Sequence, residues 1–327
     1  MKKINRIGVL TSGGDAPGMN AAIRAVTRTA IFEGIKVTGI IHGYQGLIDE
    51  KFVEFETKDV AQIIQRGGTI LKTARCADFK EKAGRAKAYE NIKKAGIDAL
   101  VVIGGDGTFR GANAFLKEYP DIKIVGIPGT IDNDLAGTDN CIGYDTALNT
   151  VVEAVDKIRD TADSHERLFF IEVMGRDAGF IALRSGIAVG AENILIPETP
   201  TSIDEIMDKV EHGRRQNKTS GIIIIAEGDE SGGAFVVAEK AKKRLPNYDI
   251  RVTVLGHIQR GGSPSCMDRV YASQYGFHAV KALLNGKSGV MIGIVKREVV
   301  ETPFENAVKH TNKVREDLLE MIKILSI

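Results

Sequence analysis

The chain of 327 residues has few cysteines, and their positions form no pairs. Cys76, Cys141 and Cys266 stand far apart along the sequence. An odd count without a repeated spacing excludes a disulfide framework and a zinc knuckle. We therefore expect three reduced thiols in a cytoplasmic protein.

Long hydrophobic runs are missing as well. The apolar run Ile7–Leu10 near the N-terminus is interrupted by Gly8 and is too short for the core of a signal peptide. No stretch approaches the roughly 18 apolar residues that a membrane-spanning helix needs. We expect a soluble protein without a membrane partner.

The chain also lacks a surplus of positive charge. Lys and Arg number 44 against 43 Asp and Glu. General nucleic-acid binding needs a basic face, so we expect no nucleic-acid partner, although a local basic cluster is compatible with this balance. With 43% apolar and 27% charged residues the composition is that of a globular protein, and the length suits two domains.

Short apolar runs alternate with helical patterns along most of the chain. Several runs are continuous in Val, Ile and Leu, which is typical of strands buried on both faces of a mainly parallel sheet. Two helices stand out, one from Pro17 to near Gly34 and one from about Asp145 to Arg159. This alternation predicts βαβ units and a layered α/β fold. The predicted strands are Arg6–Leu10, Val37–Ile41, Ala99–Ile103, Ile122–Ile127, Leu168–Val173, Ile194–Ile196, Gly221–Ala226, Arg251–Leu255 and Met291–Val295.

Glycine is frequent, with 36 residues, and it clusters in loops that follow predicted strands. The loop Thr11–Asn20 carries Gly13 and Gly14 and opens a helix. Backbone N–H groups at such a place suit a phosphate, and a tight strand-to-helix turn explains the pattern equally well. The loop Gly104–Thr108 places Asp106 among glycines, which suits Mg²⁺ beside phosphate oxygens or an ordinary Asp-Gly turn.

Neither loop matches a common nucleotide motif. The Gly-Lys-Ser at Gly286–Ser288 has Lys281 where a Walker A loop has its first glycine. The segment Gly105–Gly111 is one residue too long for the dinucleotide fingerprint.

Two further loops carry charge. In Pro128–Asp134, Asp132 and Asp134 follow a strand two residues apart, and a phosphoryl transfer to a hydroxyl needs a carboxylate as proton acceptor. An Asx-rich surface turn is the alternative. The segment Gly256–Pro264 sets His257 and Arg260 beside a glycine pair, and guanidinium groups hold phosphates with two hydrogen bonds. A solvated surface charge is the ordinary alternative for each arginine.

Taken together, these motifs resemble those of the bacterial ATP-dependent 6-phosphofructokinases. The resemblance extends from Ile7 to about Val299. It implies two three-layer αβα domains with mainly parallel sheets and an active site in the cleft between them. The nucleotide-binding domain would comprise residues 1–143 and 258–311, and the sugar-phosphate-binding domain residues 144–257 and 312–327. The motifs that carry it are Thr11–Asn20, Gly104–Thr108, Pro128–Asp134, Met174–Arg176, Ala226–Gly228 and Val254–Pro264.

The resemblance also implies a role for each matching residue. Asp132 would accept the proton of the C1 hydroxyl of fructose 6-phosphate, supported by Thr130 and Asp134, and Arg176 would stabilise the transferring phosphoryl group. Asp106 would help to hold Mg²⁺. The ATP site would comprise Gly14, Tyr44, Arg75, Cys76, Gly105, Asp106, Gly107 and Thr108. The sugar-phosphate site would comprise Thr130, Ile131, Asp132, Met174, Gly175, Arg176, Glu227, His257 and Arg260, with Arg167 and Arg251 from a neighbouring subunit of a homotetramer.

Two glycines bear on the phosphoryl donor. Pyrophosphate-dependent relatives carry Asp where this chain has Gly107 and Lys where it has Gly129, so the resemblance favours ATP. A pyrophosphate-dependent enzyme, another small-molecule kinase and a nucleotide sensor without catalysis are the alternatives.

The resemblance also implies an effector site. It would bind ADP or GDP as activator and phosphoenolpyruvate as inhibitor. This chain departs from the family at Gln216 and Gln62, and the loss of a cation at 216 weakens anion binding. The matching effector residues are Arg24, Arg28, Arg159, Gly190, Glu192 and Lys218.

Overall fold

A computed structural model describes residues 3–200, 202–215, 220–308 and 316–325. The chain forms two compact units, each assembled from two stretches of sequence. Unit 1 comprises residues 1–146 and 260–310, and unit 2 comprises residues 147–259 and 311–327. The divisions predicted from the sequence lie at residues 143, 257 and 311.

The strands and helices alternate along the described part of the chain, as the sequence predicts. The strands are β1 (Arg6–Thr11), β2 (Lys36–Ile40), β3 (Phe52–Phe55), β4 (Ala99–Gly104), β5 (Lys123–Pro128), β6 (Arg167–Val173), β7 (Asn193–Leu195), β8 (Gly221–Ala226), β9 (Asp249–Val254), β10 (Val290–Val295) and β11 (Glu298–Pro303). The α-helices are α1 (Met19–Phe32), α2 (Gly43–Ile48), α3 (Lys82–Lys94), α4 (Asp106–Glu118), α5 (Tyr144–His165), α6 (Phe180–Ala188), α7 (Ile203–Arg215), α8 (Gly233–Arg244), α9 (Cys266–Leu284) and α10 (Glu316–Leu325).

Unit 1 is built on a sheet with strand order β11-β10-β5-β4-β1-β2-β3. Its inner pairings are parallel, and β3 and β11 join the two edges antiparallel. Side chains of a strand alternate between faces. Leu100 and Val102 pack with α3 and α4 in one core cluster, whereas Ile103 faces Met19 of α1 on the opposite side.

Unit 2 repeats this layered arrangement on a smaller sheet. Its strand order is β7-β8-β6-β9, with parallel pairings throughout. Ile223 and Ile225 pack with α7 and α8 on one face. The opposite face meets α6, where a Cβ atom at Gly186 would lie 2.4 Å from the Ile194 side chain. The predicted α/β fold with mainly parallel sheets is confirmed.

Several predicted boundaries were wrong by one to several residues. The first helix begins at Met19 rather than Pro17, because Gly18 adopts φ 109° and separates Pro17 from the helix. The helix predicted to end at Arg159 continues to His165. The antiparallel edge strands β3 and β11 and the first two residues of β9 were not predicted. Among the described residues, no helix is long and apolar enough to cross a membrane.

Candidate active site

Three glycine-rich loops of unit 1 meet at one edge of its sheet. They follow β1, β4 and β5, which are neighbouring parallel strands, so their carboxyl ends lie side by side. The Thr108 hydroxyl donates to the Ser12 carbonyl at 3.1 Å, and the Gly129 N–H donates to the Gly104 carbonyl at 2.9 Å. A Cβ atom at Gly105 would lie 3.6 Å from Thr130 Cβ. The loops predicted from sequence to carry the phosphate and the proton acceptor are therefore adjacent.

Gly104 makes this close packing possible. A Cβ atom there would stand 2.3 Å from the Thr108 hydroxyl oxygen and 2.4 Å from the Ser12 carbonyl oxygen. Any side chain at position 104 would push the β1 and β4 loops apart.

The first turn of α4 carries the candidate metal ligand. Asp106 forms an ion pair with Arg110, one turn later on the same helix, at 2.8 Å. Space is open around the Cβ position of Gly107, the next residue. Aligned N–H groups at a helix start favour anions, and a carboxylate beside them suits Mg²⁺ together with phosphate oxygens. The chemistry of this turn fits both groups.

Tyr44 is bonded to the first turn of α4 and packs beside it. Its hydroxyl donates to the Thr108 carbonyl at 2.6 Å, and its ring stacks on Phe79 at 4.0 Å between centroids. Burial raises the pKa of Tyr44 well above its usual range. Among the other residues assigned to the ATP site, Arg75 is exposed and Cys76 half-buried, with the pKa of its thiol raised mainly by burial.

The β5 loop holds its two carboxylates in buried positions. Asp132 is 4% exposed and Asp134 is 6% exposed. The Thr130 hydroxyl accepts a hydrogen bond from the Asp132 N–H at 3.2 Å. Asn133 adopts φ 52°, and its side chain accepts from the Cys141 N–H at 2.6 Å. An Asx-rich surface turn does not describe this loop, because its carboxylates are buried.

Gly14 and Arg260 are neighbours within unit 1. A Cβ atom at Gly14 would lie 2.5 Å from Nη1 of Arg260. The absence of a side chain at position 14 therefore lets a guanidinium group lie against the β1 loop. Arg260 was assigned to the sugar phosphate by resemblance, and this contact sets it beside a residue assigned to ATP.

Unit 2 brings together the ends of β6, β8 and β9. The Arg176 N–H donates to the Glu227 carboxylate at 2.9 Å, and Gly228 packs so closely that a Cβ atom would meet the Arg176 carbonyl at 1.8 Å. The side-chain carbonyl of Gln259 accepts from the Met174 N–H at 3.2 Å. These contacts join the loops of Met174–Arg176 and Glu227 to the 3₁₀ helix that carries His257.

Gln259 was not predicted from the sequence as part of the site. It is 0% exposed, and its amide also donates to the Gly256 carbonyl at 2.9 Å. The signal available in the sequence was its position between His257 and Arg260, two residues assigned to the sugar phosphate.

Arg167 and Arg251 lie away from the residues just described. Arg167 is the first residue of β6, whereas Met174 follows its last, so about 20 Å of strand separates them. Both arginines pair with Asp249, at 2.7 Å from Arg167 and 3.0 Å from Arg251. Hydrogen bonding to Arg167, with the added charge of Arg251, lowers the pKa of Asp249. Unit 2 thus does not bring these two arginines to its own Met174–Arg176 loop.

The residues assigned to an effector fall into two groups. Arg24 and Arg28 share a face of α1, where burial and then the charge of Arg28 lower the pKa of Arg24. In unit 2, the Arg159 guanidinium donates to the Val189 carbonyl, next to Gly190, and Glu192 accepts from the Ile222 N–H. Gln62 is exposed at φ 54°. Gln216 and Lys218 lie outside the described residues.

The chain is similar over nearly its whole length to known proteins. Residues 6–283 match the phosphofructokinase family. The chain is 56% identical over 327 residues to ATP-dependent 6-phosphofructokinase 2 of Bacteroides thetaiotaomicron, covering 100% of both chains. It is 54% identical over 324 residues to ATP-dependent 6-phosphofructokinase 1 of Thermus thermophilus, covering 99% of this chain and 100% of the relative.

Solved structures show the same fold. The phosphofructokinase of Saccharomyces cerevisiae superimposes with a TM-score of 0.89 at 38% identity, covering 99% of this chain and 48% of that one. This chain therefore spans about half of the yeast chain. A pyrophosphate-dependent phosphofructokinase from Marinobacter aquaeolei gives a TM-score of 0.85 at 23% identity over 98% of this chain and 91% of that one, which shows a common fold.

Proposed function

The chain belongs to the phosphofructokinase family, and we propose that it transfers the γ-phosphoryl group of ATP to the C1 hydroxyl of fructose 6-phosphate. The observation that carries this proposal is the meeting of the β1, β4 and β5 loops, which sets Thr130 beside Gly105. A phosphate cradle and a candidate proton acceptor thereby share one sheet edge. The reaction belongs to glycolysis, and free thiols at Cys76, Cys141 and Cys266 suit a reducing cytoplasm.

ATP rather than pyrophosphate is the donor. The relatives above 50% identity are named ATP-dependent. Gly107 leaves open space at the start of α4, where the family's pyrophosphate-dependent members carry Asp. An added carboxylate there would repel the α-phosphate of a nucleotide.

Asp132 acts as the proton acceptor. Phosphoryl transfer depends mainly on positioning and electrostatic stabilisation, with a base contributing about 10²–10⁴-fold. The Thr130 hydroxyl accepts a hydrogen bond from the Asp132 backbone N–H and so holds that residue in place. Asp134 supports the same buried loop, and Arg176 stabilises negative charge on the transferring group.

The donor is used with a divalent cation, and we assign Mg²⁺ to it. Asp106 would hold the ion from the first turn of α4. When bound, Mg²⁺ neutralises charge that develops on the phosphate oxygens. Arg110 keeps the Asp106 carboxylate oriented through the ion pair at 2.8 Å.

The sugar phosphate is held by the other loops of the family pattern. Met174, Gly175, Arg176 and Glu227 contact the sugar, and His257 and Arg260 hold the 6-phosphate. Arg167 and Arg251 complete this site in a neighbouring subunit of a homotetramer. Arg167 begins β6, at the end of the strand opposite to Met174, and both arginines pair with Asp249 there, which supports that assignment.

An effector site responds to ADP, GDP and phosphoenolpyruvate. Two cations four residues apart on α1, close enough for Arg28 to lower the pKa of Arg24, support an anionic ligand. The substitution of a family cation by Gln216 weakens this response.

The reaction is tested by a coupled assay of ADP release with fructose 6-phosphate, in parallel with pyrophosphate as donor and with a panel of other phosphorylated sugars. We expect product only with ATP, and the highest rate with fructose 6-phosphate. Turnover with pyrophosphate alone would identify the alternative donor. Binding of ATP without ADP release would identify a nucleotide sensor.

The role of Asp132 is tested by Asp132→Ser. We expect kcat to fall by about 10²–10⁴-fold, because the acceptor of the hydroxyl proton is lost. The control is Glu305→Ser, which removes an exposed carboxylate elsewhere in unit 1 and leaves kcat near that of the parent. A loss of less than about tenfold for Asp132→Ser would exclude Asp132 as the base.

A further inference from the structure

Two long helices of the chain begin side by side and cap one another. Ser265, the residue before α9, donates from its hydroxyl to the Asp145 carboxylate in the first turn of α5, at 2.5 Å. In return Asp268, in the first turn of α9, accepts from the Gly143 and Thr146 N–H groups at the start of α5, both at 2.8 Å. The start of each helix is thus fixed by a side chain of the other.

Asp268 is the centre of this arrangement. It is 1% exposed, and both of its carboxylate oxygens accept hydrogen bonds. The Thr146 hydroxyl adds a third donor at 2.5 Å and itself accepts from the Ser265 N–H at 2.9 Å. Three converging donors require a group that accepts on both oxygens, and an ionised carboxylate is the side chain that does so.

The segment that Asp268 holds is the end of the loop that bears the proposed base. We define the catalytic loop as residues 129–143, which begins after β5 and ends at α5. Asn133 and Cys141 join its two halves at 2.6 Å. A second residue of α9, Tyr275, donates to the Asn140 carbonyl at 2.6 Å, so α9 fastens the catalytic loop at two points.

Asp268 also contacts the β1 loop. A Cβ atom at Gly18 would lie 3.6 Å from Asp268 Cβ and 2.7 Å from a methyl group of Ile142, in the catalytic loop. A movement of Asp268 is therefore transmitted to both the phosphate loop before α1 and the segment that ends in Gly143.

We propose that Asp268 is a positioning residue for phosphoryl transfer, whose carboxylate holds the catalytic loop so that Asp132 stands correctly beside the β4 loop. The proposal rests on the proposed function, in which Asp132 is the base. Asp268 touches neither substrate in this assignment and acts through the Gly143 and Thr146 backbone.

The charge state of Asp268 supports a pH-sensitive role. Burial raises its pKa to about 6, the Thr146 and Gly143 donors oppose that rise, and the Asp145 carboxylate adds to it. The titratable groups facing it are Asp145 of α5 and Cys141 of the catalytic loop, while Arg269, its neighbour on α9, donates to Ser263 and to the Pro264 carbonyl. Protonation removes an acceptor from one of the three donors.

The test compares kcat and KM of Asp268→Asn with those of the parent enzyme. Asparagine keeps the size but turns an NH₂ group toward one of the N–H donors. We expect kcat to fall about tenfold to a hundredfold, because small displacements of a reacting group have effects of this size. The KM values for ATP and fructose 6-phosphate change by less than about threefold, since the binding residues remain.

A pH profile separates positioning from general destabilisation. In the parent, kcat falls as the pH drops through the pKa of Asp268, and in Asp268→Asn this limb is absent. The control is Ile97→Ala, which truncates a buried side chain just before β4, at the end of that strand away from the β4 loop, and lowers the melting temperature with kcat and pH profile unchanged.

A second pair of variants keeps the test valid if Asp268→Asn does not fold. Thr146→Val removes the hydroxyl donor at nearly constant size, and Thr146→Ser retains it. We expect kcat to be several-fold lower in Thr146→Val and to equal that of the parent in Thr146→Ser. Folded variants with parental kcat and an unshifted acid limb would overturn the role of Asp268. A parent enzyme without fructose 6-phosphate-dependent ADP release would instead contradict the proposed function.

Discussion

Several polar side chains of this chain form hydrogen bonds to the backbone of a neighbouring loop. Asn20, the last residue of a motif singled out for phosphate binding, accepts from the Ile70 N–H at 2.7 Å and donates to the Arg66 carbonyl at 3.0 Å. Tyr44 similarly bonds to the Thr108 carbonyl. A motif residue can thus hold a loop of the candidate site in place through hydrogen bonds to its backbone.

Asp268 gives a prediction about stability as well as rate. Its pKa is about 6 in the folded protein and 3.8 in the unfolded chain. Between pH 3.8 and pH 6 the folded protein therefore binds more of a proton at Asp268 than the unfolded chain does. The stabilisation from neutral Asp268 is complete below about pH 3.8 and is lost as the pH rises through about 6. A shift of this size corresponds to about 3 kcal/mol.

The measurement is urea unfolding of the parent and of Asp268→Asn at one chain concentration between pH 7 and pH 4.5. Because Asn does not titrate, we expect the free energy of unfolding of the parent, relative to the variant, to increase as the pH falls. The gain reaches about 2 kcal/mol at pH 4.5, because the full effect of about 3 kcal/mol is complete only below about pH 3.8. A difference that stays constant with pH would show that Asp268 titrates alike in both states.

Helices and strands were predictable where their patterns were continuous. The inner strands β1, β4, β5, β6 and β8 are buried almost throughout, and their apolar runs identified them. The edge strand β11 alternates between exposed and half-buried residues, so its pattern resembles a surface loop. Its pairing with β10 exists only in the folded sheet.

The loops of the candidate site were predictable for the same local reason, whereas the residues that hold these loops in place were not. Glycine clusters and paired carboxylates follow strands directly in the sequence. Gln259 and Asp268 act on segments 85 and 125 residues away. No local pattern signals a bond of that span, so only the folded chain shows which polar residues hold the loops.

The contact between α1 and α9 gives a prediction about packing. A Cβ atom at Gly276 would lie 2.6 Å from Ala25 Cβ and 2.9 Å from the Ala22 carbonyl oxygen. Although Ala favours helix by about 1 kcal/mol over Gly, we expect Gly276→Ala to destabilise unit 1 by about 1–3 kcal/mol, because the helices must separate.

Thermal unfolding measures this effect, with Gln274→Ala as the control on the exposed side of α9. The control changes stability by no more than about 0.5 kcal/mol. A stabilised Gly276→Ala variant would mean that helix propensity outweighs the close approach.

The proposed homotetramer gives a further prediction. If Arg251 completes the site of a neighbour, Asp132→Ser and Arg251→Ala chains are nearly inactive alone but regain activity when coexpressed in mixed oligomers. Random assembly pairs an intact Asp132 with an intact Arg251 at about one quarter of the sites.

The matched control mixes Asp132→Ser with Asp106→Ala. Both residues belong to unit 1 of one chain, so no mixed site contains an intact pair and no activity returns. The two mixtures are compared by their specific activity per active site. Equal activity in the two mixtures would show that Arg251 serves its own chain.

The strand order of unit 1 also has a consequence for biosynthesis. β10 lies between β5 and β11 in the sheet, yet about 160 residues separate Pro128 from Val290 along the chain. At roughly 5–20 residues per second a ribosome takes on the order of ten to thirty seconds to translate that interval. Throughout it, the nascent chain presents β5 as an unpaired sheet edge, an open template for intermolecular strand addition. Chaperone protection during translation therefore matters most between the emergence of β5 and that of β10.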